Sequence, residues 1–259
     1  SLFNQLCLKK IIEEHNIADI NNQDAFKTIS ANYKPDFVFH LAAQPLVRES
    51  YKRPILTWET NLIGSLKILE SLKSTNKKCV VIVVTTDKVY NNQDCEYGFR
   101  ENDTLGGNDP YSASKAALEI AINSWRKSFC GSLSYQSSQL SISTVRSGNV
   151  IGGGDWALDR IMPDTIRAIR SQKPITIRNP NSTRPWQHVL EALFGYLTFS
   201  IKLKKNHKLH GEAFNFGPNN KINKNVLEVV KEMKKSWSAV SWKKVKFKKN
   251  EKESKLLKL

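Results

Sequence analysis

Two hydrophobic periods alternate along the 259-residue chain. Phe37 to Ala42 (FVFHLA), Val80 to Thr85 (VVIVVT), Leu140 to Val145 and Ala213 to Phe216 are short β-rich runs, which predict strands covered on both faces. Leu56 to Leu72 and Ser112 to Phe129 space their apolar residues three and four apart, which predicts amphipathic helices between the strands. Strand and helix in alternation predict an α/β fold built on a doubly wound parallel sheet, with ligand groups gathered beyond the carboxyl ends of the strands.

A glycine-rich loop at Gly152 to Gly154, a helix near Arg160 to Arg170 and a turn-rich passage, Asn179 to Arg184, interrupt the series between the third and fourth strands. With the segment after Pro218 they predict a small substrate-binding lobe (155–185 and 218–259) above the sheet domain (1–154 and 186–217), and a cleft between the two is the default site.

Composition narrows the function classes. The longest unbroken apolar run, Cys79 to Val84, is too short to cross a bilayer. Ser1 to Lys10 lacks the layout of a secretory signal, so a cytoplasmic protein is expected. Cys7, Cys79, Cys95 and Cys130 show no metal-ligand spacing and are read as reduced thiols, with no metal expected. The net charge of +16 raises nucleic acid as a partner. Ile201 to Leu259 alone carries seventeen lysines against five glutamates, interleaved with helix-period apolar positions. That pattern reads better as a solvated face than as a recognition surface, and no aromatic platform accompanies it.

Three polar clusters stand where the sheet's carboxyl edge should be: His40 to Gln44 (HLAAQ), Thr85 to Tyr90 (TTDKVY) and Asp109 to Lys115 (DPYSASK). Tyr111 and Lys115 lie four apart, so on a helix they share a face, and the ammonium is expected to lower the phenol's pKa towards that of a working base. Thr86, Asp87 and Lys88 follow a buried strand directly, where side chains point into the crevice. His40, inside a strand, reads as a core histidine.

Together with the TN-x-x-G run at Thr60 to Gly64, the RSGNVIGGG stretch from Arg146 and the RPWQHV run from Arg184, these clusters resemble the extended short-chain dehydrogenase/reductases, which are Rossmann-like. Within them the runs HLAAQPLVR, GNVIGGGDWALDR and RPWQHV are most similar to the CDP-glucose 4,6-dehydratase branch. The resemblance implies NAD as cofactor, a nucleotide sugar (CDP-glucose) as substrate, a homodimer paired through the two long helices, and a lyase reaction serving deoxysugar and surface-polysaccharide synthesis. By that resemblance Tyr111, Lys115 and Thr86 act on the sugar 4-hydroxyl, Asp87 is the acid and Lys88 the base of water elimination, and Asn61 supports the lysine through water. Asp19 and Ile20, the Leu41, Ala42, Ala43 and Gln44 run, Tyr111 and Lys115 would hold NAD. Asn149, Arg160, Arg184 and His188 would hold the nucleotide sugar, with Trp186 at the lobe junction. The alternatives are a related epimerase or reductase, which has no need of the Asp87–Lys88 pair, and a catalytically dead remnant with a basic binding surface.

The chain departs from this family in one respect. The family's first strand, its G-x-x-G-x-x-G turn and the following helix have no counterpart here, and the first glycine is Gly64. An N-terminally truncated product is therefore expected, with the edge of the Phe37 to Ala42 strand and an apolar helix face exposed.

Overall fold

The structure is a computed structural model and describes residues 2–94, 97–131, 138–219, 223–245 and 256–259. Cys95 and part of the lysine-rich stretch near the C-terminus (residues 220–222 and 246–255) lie outside these residues. Cys7, Cys79 and Cys130 are free thiols. Among the described residues no helix is long and apolar enough to cross a membrane.

The elements that position the site are α1 (Gln23–Tyr33), β1 (Phe37–His40), α2 (Val47–Lys52), α3 (Pro54–Trp58), α4 (Ser65–Lys73), β2 (Cys79–Val84) and α5 (Pro110–Phe129). They continue through β3 (Leu140–Ser147), α6 (Ile161–Arg170), β4 (Ile175–Ile177), α7 (Val189–Lys205), β5 (Ala213–Phe216), α8 (Val226–Ser236) and β6 (Trp242–Lys244). The main sheet is parallel, in the order β1-β2-β3-β5, with Val80 opposite Phe37 and Ser141 and with Val145 opposite Phe214.

The period of two in the strands divides the core. Val81, Val83 and Ile142 pack with Ile68, Leu69 and Leu72 of α4 and with Leu118, Ile122 and Trp125 of α5. Val80, Ile82 and Val145 face the other way, onto Tyr196, Phe199 and Leu203 of α7. Helices on both faces explain why the strands read as unbroken apolar runs. The fold is Rossmann-like α/β, as the pattern predicts.

The predicted helix from Leu56 to Leu72 is not regular. It runs as α3, a π-helical turn over Glu59–Gly64, and α4. Turns of this kind recur at functional sites, and this one draws Asn61 fully inside the protein. Gly64 is required there, because a Cβ would stand 2.9 Å from Ile20 Cγ2.

A separate small core, made of Ile175, Ile177, Val230, Met233 and Val240, unites β4, α8 and the Trp237 to Val240 turn, with Met162 of α6 and Trp242 of β6 packed against it. Residues 256–259 do not join it. The Phe99 amide donates to the Lys258 carbonyl at 3.1 Å, and Leu259 packs on the Val89, Tyr90 and Phe99 cluster of the sheet domain. β1 has no strand on its far side among the described residues.

Candidate active site

A helix start places the central pair. The Asp109 side chain accepts from the Ser112 amide at 2.9 Å, the Ser112 hydroxyl accepts from the Asp109 amide at 3.2 Å, and Pro110 occupies the first turn. This capping box fixes where α5 begins. Tyr111 is therefore in the first turn, level with the end of β2, and Lys115 stands one turn deeper on the same face.

Both are buried. Tyr111 shares a hydrogen bond with Thr86, whose hydroxyl donates to Asp87 Oδ1 at 3.0 Å. Lys115 Nζ donates to the Val84 carbonyl at 3.1 Å. The expectation that the ammonium depresses the phenol is not met. Burial pushes Tyr111 up to about 12, against the Thr86 hydrogen bond, and the ammonium is engaged by the strand carbonyl instead. Burial also draws Lys115 down to about 8, with Glu119 acting in the opposite direction.

Tyr111, Thr86, Asp87 and Lys88 line a cleft of about 500 Å³ that continues past Asn149, Arg160 and Arg184 to β4 of the lobe. Asp87 is buried, and Lys88 follows it in the turn Asp87–Val89. Arg184 is buried, with Nη1 donating to the Thr183 carbonyl at 2.7 Å. Arg160 is held at 2.9 Å by Asp155. The Trp186 indole donates to the Lys224 carbonyl at 2.9 Å, which ties the RPWQHV run to the segment that leads into α8. The cleft can therefore place cations at one end and a phenol, a hydroxyl, a carboxyl and an amine at the other. That is the equipment for moving protons on a phosphorylated substrate.

The family model for "NAD dependent epimerase/dehydratase family" matches residues 3–217. The chain belongs to that family. It is 42% identical over 243 residues to CDP-glucose 4,6-dehydratase of Salmonella typhimurium, covering 93% of this chain and 67% of that protein. It is 29% identical over 226 residues to dTDP-D-glucose 4,6-dehydratase of Dictyostelium discoideum, covering 83% and 48% of the two chains. Among solved structures, UDP-glucose 4-epimerase of Thermotoga maritima with UDP-glucose superposes with a TM-score of 0.77 at 21% identity, covering 93% of this chain and 74% of that one. DesIV, a dTDP-glucose 4,6-dehydratase from Streptomyces venezuelae with NAD and TYD bound, gives 0.76 at 20% identity, covering 93% and 69%. These likenesses in structure show the fold.

The family is NAD-dependent, and the donor set of the chain fits one end of that cofactor. Tyr111, Lys115 and the Gln44 turn supply hydroxyl, ammonium and amide groups at the ends of β1 and β2, which suits the nicotinamide-ribose end. No G-x-x-G-x-x-G turn for the pyrophosphate occurs in the sequence. Leu41 and Ala42 lie exposed beyond β1. Asp19 is also exposed, and its carboxylate accepts from the Asn21 amide at 2.7 Å, a turn-capping contact.

Asn61 Oδ1 accepts from the Gln44 amide at 2.8 Å, while its Nδ2 donates to the Ser114 hydroxyl at 2.9 Å. It clasps the HLAAQ turn to α5, a positioning role. His188 is exposed and caps α7, accepting from the Leu190 amide at 3.3 Å, and it is absent from the cleft lining. His40 shares a hydrogen bond with the Ser65 hydroxyl at 2.7 Å, and burial lowers it to about 4, so it is a neutral core residue. Sequence reasoning missed Ser147 and Tyr196, whose hydroxyls meet at the cleft wall, and Glu119 behind Lys115. Only the last left a signal, the four-residue spacing from Lys115. Among the described residues no His/Cys/Asp/Glu cluster could hold a metal ion.

Proposed function

We propose that the chain carries the sugar-side chemistry of a 4,6-dehydratase acting on CDP-glucose, giving CDP-4-keto-6-deoxyglucose and water. The observation that carries this reading is the Thr86-Asp87-Lys88 turn at the end of β2, with a buried carboxyl and an adjacent amine facing the cleft beside Tyr111. An epimerase needs a group for the 4-hydroxyl but has no step that removes water. The Salmonella relative supports cytidine as the base.

NAD, when bound, supplies the acceptor for the hydrogen on sugar carbon four and its return to carbon six. Tyr111 takes the 4-hydroxyl proton, and the Thr86 hydrogen bond eases the phenol's ionisation against burial. The resulting ketone acidifies carbon five, from which Lys88 takes a proton while Asp87 protonates the departing 6-hydroxyl as water. The carbon-five proton returns as carbon six is reduced, so the sum is loss of one water. Arg184 and Arg160 hold the diphosphate, Arg160 exchanging its Asp155 partner for phosphate oxygens. Asn149 completes that end of the cleft. A homodimer through α3, α4 and α5 is part of the same reading, supported by the exposed Ile55, Leu56, Ile63 and Ile120 on those helices and the turn between them.

The test is incubation with NAD and, separately, CDP-, dTDP- and UDP-glucose, following by mass the product lighter by one water. Product from CDP-glucose first, with no net NADH, supports the reading. Epimerised sugar of unchanged mass, or faster turnover of another nucleotide, overturns it.

A further inference from the structure

α5 carries a third ionisable residue on its site-facing side. Glu119 lies one turn beyond Lys115 and two beyond Tyr111 on the same helix face. Its side chain is 4% exposed and that of Arg146 on β3 is 3% exposed, so the pair is dry. Arg146 Nε donates to Glu119 Oε1 at 2.8 Å, and its Nη2 donates to Oε2, completing a two-pronged contact. Thr85 and Thr144 add their hydroxyls, to Oε1 at 2.6 Å and to Oε2 at 3.2 Å. Arg146 Nη1 donates to the Tyr90 hydroxyl at 2.8 Å and to the Glu101 carbonyl at 2.9 Å, and Tyr90 donates onward to Asn215 Oδ1 at 2.6 Å.

Such a pair is an expensive way to make a core. Charges leaving water lose solvation that their attraction barely returns, and apolar residues of like volume often serve as well. Its geometry offers a different reason. Thr85 immediately precedes Thr86, and the clamp joins α5 to the end of β2, to β3, to β5 and to the loop after β2. We propose that Glu119, clamped by Arg146, is the positioning residue of the Tyr111–Lys115 pair, setting the rotation and depth of α5 against the Thr85–Thr86 strand end. The inference rests on the reading of Tyr111 and Lys115 as the reacting pair.

The groups around Lys115 make this testable. Glu119 faces it from its own helix, the Val84 carbonyl from β2 and His40 from β1. His40 is neutral, because burial and the nearby ammonium both disfavour its charged form. Glu119 is thus the acidic group acting on the ammonium, and its charge favours the protonated form against burial.

The full chain is isotope-labelled at the lysine ε-carbon, the Lys115 signal is identified by its loss in Lys115→Arg, and its titration is followed by NMR. In Glu119→Gln, Lys115 should lose about threefold or more in proton affinity, a fall of about half a pH unit, and Glu119→Asp should restore most of it. Thermal melting reports folding separately. If Glu119→Gln strands the Arg146 charge and fails to fold, Glu119→Gln with Arg146→Met removes both charges. The double variant should show a smaller fall in the same direction, since Glu119 is nearer the ammonium on their shared helix face than Arg146 is. An unchanged Lys115 titration in any folded Gln variant overturns the proposal. Loss of folding in both variants overturns it too, because the clamp would then hold the fold rather than the site. The titration uses no substrate, so failure to turn over CDP-glucose would count against the sugar assignment alone.

Discussion

The two sides of β1–β2 are finished to different degrees. Towards α5, polar groups at the strand ends are buried and joined: Tyr111 to Thr86, Thr86 to Asp87, Lys115 to Val84, and Thr85, Thr144 and Arg146 to Glu119. The open side, at the turn after β1 and along the outer face of α7, is apolar and exposed. Leu41 is 52% exposed, and α7 shows a helix-period stripe of Leu190 at 64%, Phe194 at 73%, Leu197 at 54% and Ile201 at 52%. The side towards α5 is thus joined by buried polar contacts, while the α7 side presents an exposed apolar stripe. The two sides are separable, and substitutions should affect one without the other.

The largest expected effect is on the closed half. Arg146→Met alone leaves Glu119 buried without its counter-charge and should cost about 3–5 kcal/mol in urea unfolding. A loss under about 1 kcal/mol would mean that the network is wetter than its burial indicates. Next is Tyr111→Phe, which keeps the ring's packing and removes the proton acceptor. Turnover should fall by about 10²–10⁴ at unchanged stability.

The third effect is a pH dependence. His40 is lowered by burial from 6.5 to about 4, so the unfolded chain binds more protons between those values, and stability present above pH 6.5 is lost as pH falls towards 4. The shift corresponds to at most about 3 kcal/mol. His210 is moved the same way, first by burial. Urea melts at pH 7 and pH 4.5 should show the loss, and His40→Gln should flatten it. Arg184→Ala comes fourth: losing a buried charged donor should weaken nucleotide-sugar binding by about 2 kcal/mol without changing the melting temperature much. The smallest effect lies on the open half, where Phe194→Gln with Leu197→Gln should change stability by less than about 0.5 kcal/mol. Light scattering should nevertheless show reduced self-association.

Much of the closed half is legible in the residues themselves. The four apolar runs become four parallel strands because helices cover both faces, and the DPYSASK cluster marks a helix start because Asp109, Pro110 and Ser112 cap it. Local patterns do not show what long-range bonding decides. The π-helical turn is invisible in Leu56 to Leu72, since its hydrophobic period is that of an ordinary helix, and the Asn61 clasp on Gln44 appears only once the chain has folded back. Glu119 reads as a solvated helix residue until Arg146 arrives from a strand 27 residues away. His188 shows the converse. Its run resembles a substrate-binding stretch, yet the start of α7 turns its ring to solvent as a cap.

The most direct measurement is calorimetric titration of the chain with CDP-glucose, repeated on Arg184→Ala and on Tyr111→Phe. CDP-glucose should bind, should bind more weakly by about 2 kcal/mol in Arg184→Ala, and should bind little changed in Tyr111→Phe. No CDP-glucose binding, or binding indifferent to Arg184, would contradict the proposed reading.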